Sequence, residues 1–334
     1  MSEMLIRDKS PLPLNAGKKP TERTIEELLD AGVINMDKPQ GPTSHQATAW
    51  VREILGVDKI GHGGTLDPKV SGVLPIATGR AVRSVNLTLK SEKEYVCIMR
   101  LHRDADETEI RDVISTFVGR IYQVPPVRSA VKRQLRIRTI HYINILDING
   151  RDVLFRVGCD AGTYIRTLCV DIGDALGVGA TMEDLRRTKS GSMLESESVT
   201  LQDIKDAYVM WKDENDESWL RSIIQPFEVL FDPLPKIIVK DSAVDAVCHG
   251  ADLAAVGIAQ IDSSIQKEAT VAMFTLKGEA IGVGSAKMSC DEMMKAKEGI
   301  AVKTERVYMP ASTYKNLVGN QIIQFLRLIA IIEI

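Results

Sequence analysis

The chain predicts an α/β (α+β) fold in two folded domains, on three observations. Its 334 residues exceed what one hydrophobic core comfortably holds, so two domains are expected. Over the first two thirds, amphipathic helix patterns alternate with short apolar strand patterns. From about Pro233 the texture changes to short β-like segments spaced as in a small barrel. Hydrophobic residues at 44% and charged residues at 26% belong to a globular chain and exclude a disordered or collagen-like one.

Residues 1 to about 23 are dotted with Pro and Lys and read as an arm without its own fold; the arm and the short helix after it make up residues 1–30. Thr24 and Glu27 form a capping box for that helix, which Gly32 terminates. "INMDKP" gives a strand. Thr43 or Ser44 caps a second helix in which Ala47, Trp50, Val51, Ile54 and Leu55 keep the i, i+3, i+4 rhythm up to Gly56, so Trp50 is assigned to the core. A later helix starts near Thr163, with Ile165, Leu168, Cys169, Ile172 and Leu176 on one stripe and Gly177 beyond its end. Arg166 lies off that stripe in the first turn, where a cation meets the positive end of the helix dipole. A negative group nearby would justify it. In the last third, "KIIVK", "ATVAMFTL", a Lys277-Gly278 turn, "AIGVGSAKM" and "GIAVKTERVYM" are the strand candidates. The domain boundaries expected are 31–232, 233–311 and an apolar segment, 312–334.

The segment richest in chemical information is "GHGGTLDPKVSGVLP", Gly61 to Pro75. Its glycines and prolines exclude a helix: Pro68 pushes Asp67 toward extended geometry, and Gly63 and Gly64 permit backbone shapes that other residues resist. The product is a shaped loop that presents one carboxylate, Asp67, anchored by the buried strand pattern "VLPIA". By itself an Asp-Pro in a Gly-rich loop is most often a capping turn.

A net charge of −3 gives no case for nucleic acid as a partner, but its distribution does. From Val113 through Leu146 there is no Asp or Glu, while Arg120, Arg128, Lys132, Arg133, Arg136 and Arg138 all fall there. Acid is gathered elsewhere, as in "KDENDES" (Lys212 to Ser218), read as a solvated loop. The five cysteines show no CxxC spacing, which argues against a zinc site and for reduced core residues. No apolar signal segment opens the chain, so an intracellular, cytoplasmic location is expected. "IIQFLRLIAIIEI" at the C-terminus falls short of the ~20 residues of a membrane span, which predicts no membrane partner.

Six blocks, in order, closely resemble the TruB-type RNA pseudouridine synthases: the Asp67 loop, "GVINMDKPQGPTSHQ", "EKEYVCIMRLH", "QVPPVRSAVKR", "AGTYIRTLCVDIG" and "LRRTKSG". "HGADLAAVGI" and "GEAIGVGSA" resemble the PUA domain, an RNA-binding β-barrel. Their order looks like that of the dyskerin-like branch, which works with H/ACA guide RNA, and the compact form looks archaeal. The fold implied is a mixed antiparallel sheet flanked by helices, plus the small PUA barrel.

The resemblance implies that Asp67 is the catalytic residue, ion-paired to Arg166, which would hold it ionised in a dry pocket. Tyr95 matches the tyrosine that stacks on the flipped target, and Tyr164 and Leu185 match residues lining the pocket. His62 matches a histidine that helps to hold the flipped loop. "QVPPVRSAVKRQLRIR", with Arg128, Lys132, Arg133, Arg136 and Arg138, corresponds to a substrate-gripping thumb. It further implies that no cofactor or metal is needed and that the partners are guide RNA, rRNA or tRNA substrate and three small companion proteins. Attack at C6, attack at C1′ and a glycal route all remain open for Asp67. A stand-alone tRNA T-loop synthase and a noncatalytic RNA-binding scaffold are the rivals.

Overall fold

In the computed structural model the residues described are 3–9, 15–125, 134–311 and 313–314. The chain divides into two compact units, Glu27–Leu230 and a second made of Met1–Glu26 with Phe231–Ile334.

The strands of the larger unit, in chain order, are β2 (Gly32–Lys38), β3 (Ile60–His62), β4 (Ser71–Thr78), β5 (Lys93–Leu101), β6 (Gly119–Gln123), β7 (Arg136–Asn149), β8 (Asp152–Cys159), β9 (Ala180–Ser190), β10 (Met193–Leu194) and β11 (Ile224–Pro226); β1 (Met4–Ile6) belongs to the other unit. They form one sheet in the order β11-β2-β4-β9-β5-β8-β7-β6, with β3 on β4 and β10 on β9. Every pairing is antiparallel except β4 with β9. The sheet is therefore mixed, and the parallel junction lies beside the Asp67 loop.

The pattern that predicts a helix near Thr163 yields Ile165–Ala175, with Ile165, Leu168, Cys169 and Ile172 buried against the sheet in one core with Phe155, Val157 and Cys97. Gly177, at φ +67°, follows its end. The helix Ser44–Leu55 is capped by Thr43, whose hydroxyl accepts from Gln46 N at 3.1 Å while Gln46 Oε1 accepts from Thr43 N at 2.8 Å. Trp50 is not core: it is 43% exposed. The buried stripe runs through Ser44, Ala47, Thr48, Val51 and Leu55. An apolar count passes over Ser44 and Thr48, and including them rotates the buried face away from Trp50.

Gly72 shows how tightly β4 and β9 approach. Its φ is +103°, and a Cβ there would sit 2.2 Å from the carbonyl oxygen of Arg187, its partner in the ladder. Gly72→Ala is expected to lower the unfolding free energy by about 3 kcal/mol, from left-handed strain plus the clash. Gly150→Ala, at φ +59° with open space around it, should lose only about 1 kcal/mol. Urea unfolding measures both, and equal losses would show that the close approach is unimportant.

The smaller unit contains β1, β12 (Lys236–Val239), β13 (Leu253–Ala254), β14 (Ile258–Asp262), β15 (Thr270–Phe274), β16 (Ala280–Ala286) and β17 (Ile300–Val307). They form a sheet in the order β1-β14-β12-β15-β16-β17-β13 around a core that includes Ile237, Ile261, Val271, Met273, Ile281 and Val302. The N-terminal arm has no core of its own, and it orders by adding β1 antiparallel to β14. Glu279 ties Lys18, from the N-terminal arm, and Tyr314 to this unit. Its carboxylate accepts from Tyr314 Oη at 2.6 Å and from Lys18 N at 3.1 Å.

Of the cysteines, Cys97, Cys159, Cys169 and Cys290 are buried, Cys248 is half-buried, and all are free thiols. No helix of the described residues is long and apolar enough to cross a membrane. Most of the apolar segment at 312–334 lies outside the described residues.

Candidate active site

The loop between β3 and β4 is fastened along its length. Gly63 N donates to Pro75 O at 2.8 Å, and a Cβ on Gly63 would meet Thr88 Oγ1 at 2.0 Å, so only glycine fits. Gly64 takes φ +126°. The buried hydroxyl of Ser44 accepts from Leu66 N at 2.8 Å and donates to Leu66 O at 3.0 Å. Gly41 N donates to Pro68 O at 2.8 Å, and Val70 N to Asp67 O at 2.9 Å. With Leu66 and Val70 buried on either side of it, Asp67 has little freedom except at its side chain.

That side chain meets Arg166, whose Nη2 donates to Asp67 Oδ2 at 2.7 Å. The first turn of the Arg166 helix contains no acidic residue, so the anion that faces the dipole-disfavoured cation comes from a different element. Tyr164 is the N-cap residue of that helix and makes no side-chain cap bond. Its backbone is gripped instead by Gln123, only 2% exposed, which accepts from Tyr164 N at 2.9 Å and donates to Tyr164 O at 3.0 Å. The dry pocket is a correction: the Arg166 and Asp67 side chains are 54% and 55% exposed. Among the described residues nothing covers this face of the Asp67–Arg166 pair.

Tyr95, on β5, is half-buried and lies directly across the ladder from Arg187 on β9. Burial raises the phenol pKa, and the guanidinium pulls it back. Leu185 is buried in the core that also holds Leu66 and Val70. His62, at the end of β3, packs edge-on against His45 with centroids 4.9 Å apart. Burial, His45 and Arg187 all lower its pKa, which favours the neutral ring.

Arg136 and Arg138 lie on β7 opposite Gln123 and Ile121 of β6. Arg138 reaches the turn before Tyr164, where a Cβ on Gly162 would sit 3.3 Å from its Nη2. Arg128, Lys132 and Arg133 lie outside the described residues.

Three buried cations beside this loop escape sequence reasoning. Arg187 is 1% exposed, Lys38 is fully buried with Nζ 2.7 Å from Pro39 O, and Lys93 donates to Thr88 O at 2.6 Å and Ser91 O at 2.7 Å. "LRRTKSG" does contain a usable signal. Alternation along β9 must put Arg186 and Arg187 on opposite faces. Arg186 goes to Asp37, at 3.0 and 2.8 Å, and to Glu195, while Arg187 goes inward. Burial and Arg187 lower the Lys38 pKa against a raising influence from Asp67, so Lys38 also senses the carboxylate.

Burial, assisted by the Arg187 charge, brings the Lys93 pKa down from 10.5 to about 7. Between those values the unfolded chain holds a proton that the folded chain does not. Stability therefore rises with pH through this window, by at most about 1.4 kcal/mol per unit from this group. Lys93→Met should flatten that rise in urea unfolding followed from about pH 7 to 9, and an unchanged slope would refute the depressed pKa.

Comparison with known proteins places this geometry in a family. Residues 52–165 match the TruB family pseudouridylate synthase N-terminal domain and 166–232 the tRNA pseudouridylate synthase B C-terminal domain. Residues 235–308 match the PUA domain and 1–48 the DKCLD (NUC011) domain. A probable tRNA pseudouridine synthase B from Methanocaldococcus jannaschii is 53% identical over 94% of both chains. The chain belongs to the TruB family of pseudouridylate synthases. Another relative of the same description, from Methanopyrus kandleri, is 54% identical over 95% of this chain and 94% of its own. Among solved structures, this TruB-family chain is similar to one in a Cbf5-Nop10-Gar1 complex, at TM-score 0.89 and 51% identity over 95% of this chain and 97% of that one. It is equally similar, at 0.89 and 48% over 95% and 98%, to a chain of an H/ACA RNP bound to a substrate RNA containing 2′-deoxyuridine.

Proposed function

We propose that this pseudouridine synthase is the catalytic subunit of a box H/ACA ribonucleoprotein and isomerises guide-selected uridines in rRNA. The observation that carries the reading is similarity over 95% of this chain to a chain of an H/ACA RNP bound to substrate RNA. In this reading residues 31–232 are catalytic, 233–311 bind RNA, and the small companion proteins complete the particle. Its place of work is the cytoplasm, in ribosome biogenesis.

The reaction breaks N1–C1′, joins C5 to C1′, releases the C5 hydrogen and leaves a proton on N1. Asp67 is the group that acts at the base or the sugar, and Arg166 aims it. A stacked uridine hides the bond, so the base is extruded onto Tyr95, with Tyr164, Leu185 and His62 completing the surround. Arg136, Arg138 and the neighbouring Arg128, Lys132 and Arg133 contact phosphates.

A second reading, guide-independent action on a tRNA T loop, is favoured by the description shared by the archaeal relatives. Tritium release from [5-³H]uridine RNA separates the two. Release from an rRNA fragment only when guide RNA and companions are present supports the first; release from a tRNA transcript by the chain alone supports the second. No release from either leaves an RNA-binding scaffold.

A further inference from the structure

We propose that Arg187 is a positioning residue of the active site, tying the backbone of the Asp67 loop to β9 directly opposite Tyr95 so that stacking ring and carboxylate are held in one frame. This rests on the roles proposed above for Asp67 and Tyr95. Arg187 Nε donates to Val73 O at 2.7 Å and Nη2 donates to Gly64 O at 3.2 Å, while the residue pairs with Tyr95 across the ladder of β9 and β5. One residue thus joins β4, the loop three residues before Asp67, and β5.

A stability role alone does not account for it. A buried guanidinium is costly, and among the described residues no carboxylate lies within ion-pair distance of it. Apolar side chains of similar volume commonly fill such places at no loss of stability. What an apolar residue lacks is the planar fork that reaches acceptors on β4 and on the loop at once. Lysine lacks it too, since one nitrogen cannot sit at both corners of the fork.

Beyond Asp67 the loop is held by Gly41 N donating to Pro68 O, so Asp67 lies between one polar anchor at Gly64 and another at Pro68. The charge of Arg187 also reaches outward, contributing to the lowered pKa values of Lys38, His62 and Lys93.

The test uses Arg187→Lys in the full chain. Single-turnover tritium release in the reconstituted particle should fall about 10- to 100-fold while RNA affinity stays within about threefold, because the lost contact orients rather than binds. Ring order is read separately, by fluorine NMR of chain labelled with 3-fluorotyrosine, the Tyr95 signal being the one missing in Tyr95→Phe. One sharp signal in the parent should broaden or split in Arg187→Lys. An unchanged signal, or an unchanged rate, overturns the proposal. If the lysine variant does not fold by urea titration, Arg187→Gln is read by the same criteria. Asp67→Asn is measured alongside: full activity there defeats the active-site reading itself, whereas a dead Asp67→Asn with an undisturbed Tyr95 signal in Arg187→Lys defeats only the role of Arg187.

Discussion

Asp67→Asn is expected to reduce pseudouridine formation below about one percent of the parent rate while leaving RNA affinity within about tenfold. The substitution keeps the volume and most hydrogen-bonding capacity of the side chain but removes its charge and its capacity as nucleophile or base. Folding should be nearly untouched, because the carboxylate is 55% exposed and its ion-pair partner Arg166 is equally open. The backbone bonds that hold the loop, from Gly41, Ser44 and Val70, do not involve the side chain. Single-turnover tritium release alongside filter binding measures both quantities. Turnover near the parental level would remove Asp67 from the chemistry.

Arg166→Ala is expected to lower the single-turnover rate about 100-fold at saturating RNA, with a change in unfolding free energy under about 1 kcal/mol. The two magnitudes separate because an exposed ion pair is worth little to folding but fixes the direction of a carboxylate that otherwise rotates freely. Arg166→Lys should recover part of the loss. An ammonium supplies charge, while the guanidinium fork supplies the direction. If both variants retain the parental rate, the 2.7 Å contact is a surface pair without function. If instead stability falls by several kcal/mol, the pair is structural and covered by something in solution.

The loop Gly61 to Pro75 was legible because glycine and proline act on the backbone where they stand: Pro68 beside Asp67 and Gly64 at φ +126° need no distant partner to explain them. The helices at Ser44–Leu55 and Ile165–Ala175 were legible for the same local reason, through caps, stripes and a terminal glycine. Trp50 was misread where locality ends. Which face of an amphipathic helix goes inward depended on Ser44, a polar residue buried for its two bonds to Leu66.

By itself, then, the amino-acid sequence determined the two-part fold, the shape of the Asp67 loop and the family, since each rests on residues near one another in the chain. Only the tertiary structure decided which side chains converge there. Arg166 comes 99 residues after Asp67 and still meets it. Gln123 grips Tyr164 from 41 residues away, and Arg187 reaches back 123 residues to Gly64. These contacts depend on sheet order and register, above all on the parallel junction of β4 with β9 that Gly72 permits. Register across a ladder is set by the packing of the whole sheet, and no local pattern in β9 states which strand will lie beside it.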